Sequence, residues 1–124
     1  MRMLIVDDSD FIREFLKQQL RRLGAHCDEA GDGEQALAVL RSQADFDVML
    51  VDVNMPVMDG LECVRRLRIE GLCRRMKVMM VTAEADSSFI NRALEYGADE
   101  FLMKPFTSQS LREKLLLMGF EMAA

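Results

Sequence analysis

Four short apolar runs without polar alternation, Met3–Val6, Val48–Val51, Val78–Val81 and Phe101–Met103, constrain this chain more than any other feature. A strand with one wet face alternates apolar and polar residues, so unbroken runs of this length belong to a parallel sheet covered on both faces. A fifth, more polar strand is predicted near His26–Ala30. Between the runs the apolar period changes. Ile12, Leu16, Leu20 and Leu23 share one helical face, as do Leu111, Leu115 and Met118. Five strands thus alternate with five helices. Strict alternation predicts an open α/β sandwich, a doubly wound parallel sheet with helices on both sides.

Local punctuation agrees with this pattern. Gly24 and Gly97 follow helical segments, where a left-handed terminator is needed. Asp32 with Gln35, and Asp59 with Glu62, read as helix-start capping pairs. The chain has 124 residues, enough for one core of the usual ~100–150-residue domain and too few for two, so residues 1–124 are expected to form one domain. The last helix is expected to end near Met118, leaving no room for a DNA-binding output domain before Ala124.

Charge and cysteine usage narrow the class. A formal net charge of -5 argues against non-specific nucleic-acid binding. The basic cluster Arg65, Arg66, Arg68, Arg74, Arg75 and Lys77 is read as a solvated helix face rather than a docking patch. Cys27, Cys63 and Cys73 lack the pairing of a disulfide framework or a zinc site, and reduced thiols point to the cytoplasm. The apolar run after Met1 is too short for a signal peptide or a membrane span. Met49, Met79 and Met80 are read as adaptable core filler, and the lone His26 is given no role.

In an open α/β sheet, ligands bind beyond the carboxyl ends of the strands. Those ends carry Asp7 and Asp8 after the first run, Asp52 after the third strand, Thr82 after the fourth, and Lys104-Pro105 after the last. Three carboxylates brought together repel one another and raise their pKa values unless a cation neutralises them. Oxygen donors with room for water and phosphate describe a Mg²⁺ site, with Mn²⁺ as a substitute, better than a zinc or calcium cage. Asp7 and Asp8 could instead cap the following helix, but one carboxylate would suffice for that. Asp52 could attack phosphorus to form an acyl phosphate, with Lys104 as counter-charge and Thr82 as a hydroxyl facing the transferred group.

Asp7-Asp8, Asp52 with Met55-Pro56 and Asp59-Gly60, Thr82-Ala83, and Lys104-Pro105-Phe106 together resemble the response regulator receiver domain of the single-domain chemotaxis (CheY-like) type. The resemblance spans essentially the whole chain. It implies a flavodoxin-like three-layer sandwich with strand order 2-1-3-4-5. It also implies a sensor histidine kinase that donates a phosphoryl group to Asp52. Asp8 would be a direct Mg²⁺ ligand, Asp7 a water-mediated one, and the Asn54 backbone carbonyl a further ligand. The Lys104–Pro105 bond is expected to be cis. Thr82 and Phe101 would be the switch pair, reshaping a face on which Arg92, Glu95, Tyr96, Phe101 and Arg112 are candidate partner contacts. Asn54 and Glu84 match positions that tune loss of the phosphoryl group. Phe101 departs from the tyrosine that many chemotaxis regulators carry at that position, so a hydroxyl hydrogen bond cannot report the switch.

The implied protein is a phosphoacceptor rather than an enzyme acting on other substrates, monomeric and away from membranes. Its listener would be the flagellar motor switch, another signalling protein in a phosphorelay, or the partner of a stand-alone regulator. Two other classes share parts of the pattern. A flavodoxin-like cofactor protein needs a phosphate cradle in the first loop, where Asp7-Asp8-Ser9-Asp10 presents negative charge. An aspartyl-phosphate phosphatase of the haloacid dehalogenase kind wants an acid where this chain has Asn54.

Overall fold

The polypeptide runs β1 (Arg2–Val6), α1 (Asp10–Arg22), β2 (His26–Ala30), α2 (Gly33–Ser42), β3 (Val48–Asp52), α3 (Gly60–Ile69), β4 (Lys77–Thr82), α4 (Ser87–Tyr96), β5 (Glu100–Met103) and α5 (Ser108–Leu117). The computed structural model describes residues 1–43, 45–83 and 86–121. The five strands form one parallel sheet in the order β2-β1-β3-β4-β5. The strand order reverses between β1 and β3, which opens a crevice at their carboxyl ends.

Alternation along each strand divides the interior in two. Leu4, Val6, Met49, Val51, Val78 and Met80 face one layer, where they pack with residues of α2, α3 and α4. Met3, Ile5, Val48, Leu50, Met79 and Val81 face the other, against α1 and α5. All five residues of β3 are buried, so its apolar run needs no polar alternation. Removing a side chain such as that of Leu50 from water is worth about 1.5–3 kcal/mol. Met49, Met79 and Met80 are fully buried core residues, as read from the sequence.

Strand ends extend beyond the apolar runs. Arg2, Asp52, Lys77, Thr82 and Glu100 join the ladders through their main chains, which hydrophobic pattern does not register. β2 is an edge strand with only Ala30 buried, hence its weaker signal.

Gly24 and Gly97 adopt φ of 89° and 110°, the left-handed conformation expected of helix terminators. The capping expectation needs correction. Asp32 and Asp59 do accept from the amides of Gln35 and Glu62. The return bonds are not made. Gln35 Oε1 accepts from the Gly31 amide instead, and Glu62 is drawn away by the guanidinium groups of Arg65 and Arg66. The reciprocal capping box belongs to α5, between Thr107 and Ser110.

Arg65 and Arg66 behave as a solvated pair, but Arg68 departs from the expected solvated face. Its guanidinium donates to the carbonyls of Met76 and Gly97 at 3.2 and 3.0 Å and pairs with Asp99 at 3.3 Å, tying α3 to the starts of β4 and β5. All three cysteines are free, and burial pushes the Cys63 thiol up to about 12.

Candidate functional site

Asp7 follows β1, Asp52 ends β3, Thr82 ends β4 and Lys104 follows β5, so parallel pairing delivers all four to the same edge of the sheet. The register pairs Val6 with Val51, Asp52 with Val81 and Thr82 with Met103. The Lys104 amide continues the ladder by donating to the Thr82 carbonyl at 2.8 Å. Next to it, the Lys104–Pro105 peptide bond is cis, as the resemblance implied.

Asp7, Asp52 and Thr82 are the only buried polar or charged residues among those described. Three carboxylate oxygens, one each from Asp7, Asp8 and Asp52, lie within 4.8 Å of one another. Lys104 Nζ donates to Asp52 Oδ1 at 3.1 Å and lies 3.6 Å from Asp7 Oδ2. One lysine therefore pairs with two of the three acids.

Helix capping does not use these acids. Ser9 caps α1, its Oγ accepting from the Ile12 amide at 3.2 Å. Asp7 Oδ1 accepts from the Ser9 amide at 2.9 Å, which fixes its carboxylate, while Asp8 is exposed. Burial raises the Asp7 pKa above the ordinary carboxylate value, with Asp52 and Asp8 adding to the rise and the Ser9 amide and Lys104 opposing it. For Lys104, burial pulls the ammonium down, but the bond to Asp52 and the charges of Asp52 and Asp7 outweigh it, and the net shift is upward. Three oxygen donors around an excess of negative charge fit a hard divalent cation.

A close approach behind Asp52 sets its main chain. A Cβ on Gly60 would come within 2.2 Å of the Asp52 carbonyl oxygen, so only glycine fits at the start of α3. The Gly60 amide donates to the Val53 carbonyl at 2.9 Å, folding the loop with exposed Asn54 back beside the strand end. In that loop Val57 has φ of 70°, a left-handed conformation costly for a β-branched residue. Glu84 lies outside the described residues.

Phe101 is half-buried against the α2–α4 layer, with its ring edge-on to Phe89 at 6.1 Å. Tyr96 packs against the same layer, and Arg92 and Glu95 are exposed on α4. Arg112 corrects the expected partner face, since it lines a groove between α1 and α5 with Gln19 and Arg22. On α5, Leu111 and Leu115 share the core with Leu102 of β5, and Lys114 makes the ion pair to that strand, with Glu100 at 3.0 Å. Two further features carry no motif that sequence reasoning could have found. Arg13 is folded over the end of β1. An apolar hollow of about 470 Å³ opens beside Lys104, lined by Phe11, Ile12, Phe15, Pro105 and Phe106.

A family profile for the response regulator receiver domain matches residues 3–116. The chain belongs to that family. This receiver domain is 42% identical over 117 residues to the chemotaxis protein CheY homolog of Campylobacter jejuni, covering 93% of this chain and 89% of the relative. It is 41% identical over 116 residues to the chemotaxis protein CheY of Pseudomonas aeruginosa, covering 93% of each. Its fold is similar to that of the Vibrio cholerae chemotaxis protein CheY4, with a TM-score of 0.87 and 34% identity over 96% of this chain and 98% of that one. The flavodoxin-like order of the sheet is thus the receiver order. Among the described residues of this receiver, no helix is long and apolar enough to cross a membrane.

Proposed function

We propose that Asp52 accepts a phosphoryl group from a sensor histidine kinase and that the receiver thereby switches a protein-binding face. The observation that carries this reading is the buried Asp52 carboxylate held 3.1 Å from Lys104 beside the Asp7 and Asp8 oxygens. An Asp52 oxygen attacks phosphorus, an O–P bond forms, and the N–P bond to the donor imidazole breaks with its electron pair leaving on nitrogen. Lys104 then pairs with an oxygen of the transferred group, and the Thr82 hydroxyl approaches another.

Asp7, Asp8, Asp52 and the Asn54 carbonyl would hold Mg²⁺, or Mn²⁺ in its place, which when bound supplies positive charge that screens an anionic donor from the acids. Lys104 alone leaves the three carboxylates under-neutralised, which supports that requirement.

Movement of Thr82 towards the phosphoryl group would vacate space beside β4 into which Phe101 rotates, a shift between two packings of one interior. The half-buried position of Phe101 against Phe89 supports such a choice. The face carrying Arg92, Glu95, Tyr96 and Phe101 is then the output surface. Its listener is a cytoplasmic protein, with the flagellar motor switch favoured by the chemotaxis relatives and a further phosphorelay protein as the second reading. Asn54 and Glu84 are assigned to tuning loss of the phosphoryl group.

Labelling with a small phosphodonor in the presence of Mg²⁺ tests the assignment. Wild type takes up label and Asp52→Asn does not; an Asp52→Asn variant labelled at the wild-type rate refutes it.

A further inference from the structure

Asp7 is tied at three points. Its amide donates to the Ala30 carbonyl at 3.2 Å, its Oδ1 accepts from the Ser9 amide, and its carbonyl accepts from Arg13 Nη1. The third tie belongs to a larger arrangement. Arg13 Nη2 pairs with Asp10, and Nε donates to Glu29 Oε1 at 3.0 Å. Glu29 stands opposite Ile5 on β2, and its other oxygen accepts from Lys17 Nζ at 2.8 Å. Although charged, the Arg13 side chain is only 15% exposed. A guanidinium is a rigid planar fork, so filling three of its directions fixes its plane and the carbonyl it holds.

The carbonyl of Asp7 is one end of the Asp7–Asp8 peptide plane. Its orientation sets where the Asp8 side chain departs from the backbone, and Asp8, being exposed, is not placed by packing. We propose that Arg13, oriented by Glu29, is a positioning residue for divalent-cation binding, holding the Asp7–Asp8 peptide so that both carboxylates meet Asp52. This inference rests on the reading of the acid cluster as the Mg²⁺ site.

The sign of one effect separates positioning from charge. A guanidinium near the cluster repels a divalent cation, so on charge alone Arg13→Ala tightens Mg²⁺ binding. Loss of a group that orients ligands weakens it, typically by about 10–100-fold. Arg13→Lys keeps the charge, but its ammonium lacks the planar fork that spans Asp7, Asp10 and Glu29.

The test is calorimetric titration of Mg²⁺ into the full chain for wild type, Arg13→Ala, Arg13→Lys and Glu29→Gln, with thermal melts of each in chelator. The inference expects Mg²⁺ affinity to fall about ten-fold in Arg13→Ala, less in Arg13→Lys, and several-fold in Glu29→Gln, while the metal-free melts stay close to wild type. Arg13→Ala binding Mg²⁺ as tightly as wild type, or more tightly, overturns it. If Arg13→Ala does not fold in chelator, Glu29→Gln decides, and unchanged affinity there overturns it equally. Wild type that takes up no Mg²⁺ refutes the site reading and this inference together. Wild-type binding with an insensitive Arg13→Ala refutes the inference alone.

Discussion

Lys104 Nζ lies 3.1 Å from Asp52 Oδ1, joining two side chains 52 positions apart in sequence. The contact joins the residue that follows β5 to the last residue of β3. Lys104→Met should fold, since the side chain is 29% exposed. Its labelling from a small phosphodonor at saturating Mg²⁺ should fall on the order of 10²-fold, the usual scale for losing one pre-placed charge from such a site. Rates of label incorporation check this, and a rate within a few-fold of wild type would remove Lys104 from the reaction.

Phe101 meets Phe89 edge-on and is half-buried, so truncating it removes a ring from the proposed output face and leaves the acids in place. Phe101→Ala is expected to take up label at close to the wild-type rate. Its phosphorylated form should lose affinity for the protein that binds phosphorylated wild type, by about 2 kcal/mol or more if the ring anchors that interface. Binding titrations with and without phosphodonor measure both halves; unchanged affinity would remove Phe101 from the switch.

Val57 sits at φ 70° with 75% of its surface exposed. A left-handed backbone costs an L-residue about 1–2 kcal/mol, and asparagine tolerates it better than a β-branched side chain. Val57→Asn should therefore stabilise the fold by about 1 kcal/mol, read as a higher denaturant midpoint at unchanged slope. A lower midpoint would show that the valine makes contacts outweighing its strain.

Hydrogen bonds from Arg65, and then Arg66, hold the Glu62 carboxyl down at about 2. A lowered pKa in the folded state means stability that is present above the ordinary value of 4.5 and lost as pH falls towards 2. Glu62 keeps 34% of its side chain open to solvent, so the effect is small and weakened by salt. The melting-temperature gap between wild type and Glu62→Gln should narrow as pH drops from neutrality through that window. A gap that holds constant or widens on acidification contradicts the fork.

Much of the fold was legible because its causes are local. The unbroken run Val48–Val51 announced a strand buried on both faces, and every residue of β3 is buried. Gly24 and Gly97 announced helix ends because few other residues accept their backbone angles. The convergence of the candidate site residues was legible for a related reason: Asp7, Asp52, Thr82 and Lys104 each follow or end a strand, and parallel strands put their carboxyl ends together. The capping pairs were half legible, since Asp32 and Asp59 cap as expected while Gln35 and Glu62 found stronger partners nearby.

Periodicity and strand-end chemistry, both properties of neighbouring residues, thus determined by sequence alone which segments form the sheet and which side chains stand at its edge. Tertiary structure decided the rest. Asp52 takes Lys104 as its ammonium, Arg13 turns back onto the Asp7 carbonyl, and Lys114 rather than Arg112 reaches β5. Each of these depends on strand register and on the reach of a long side chain across separate elements, and no local pattern encodes distances of that kind.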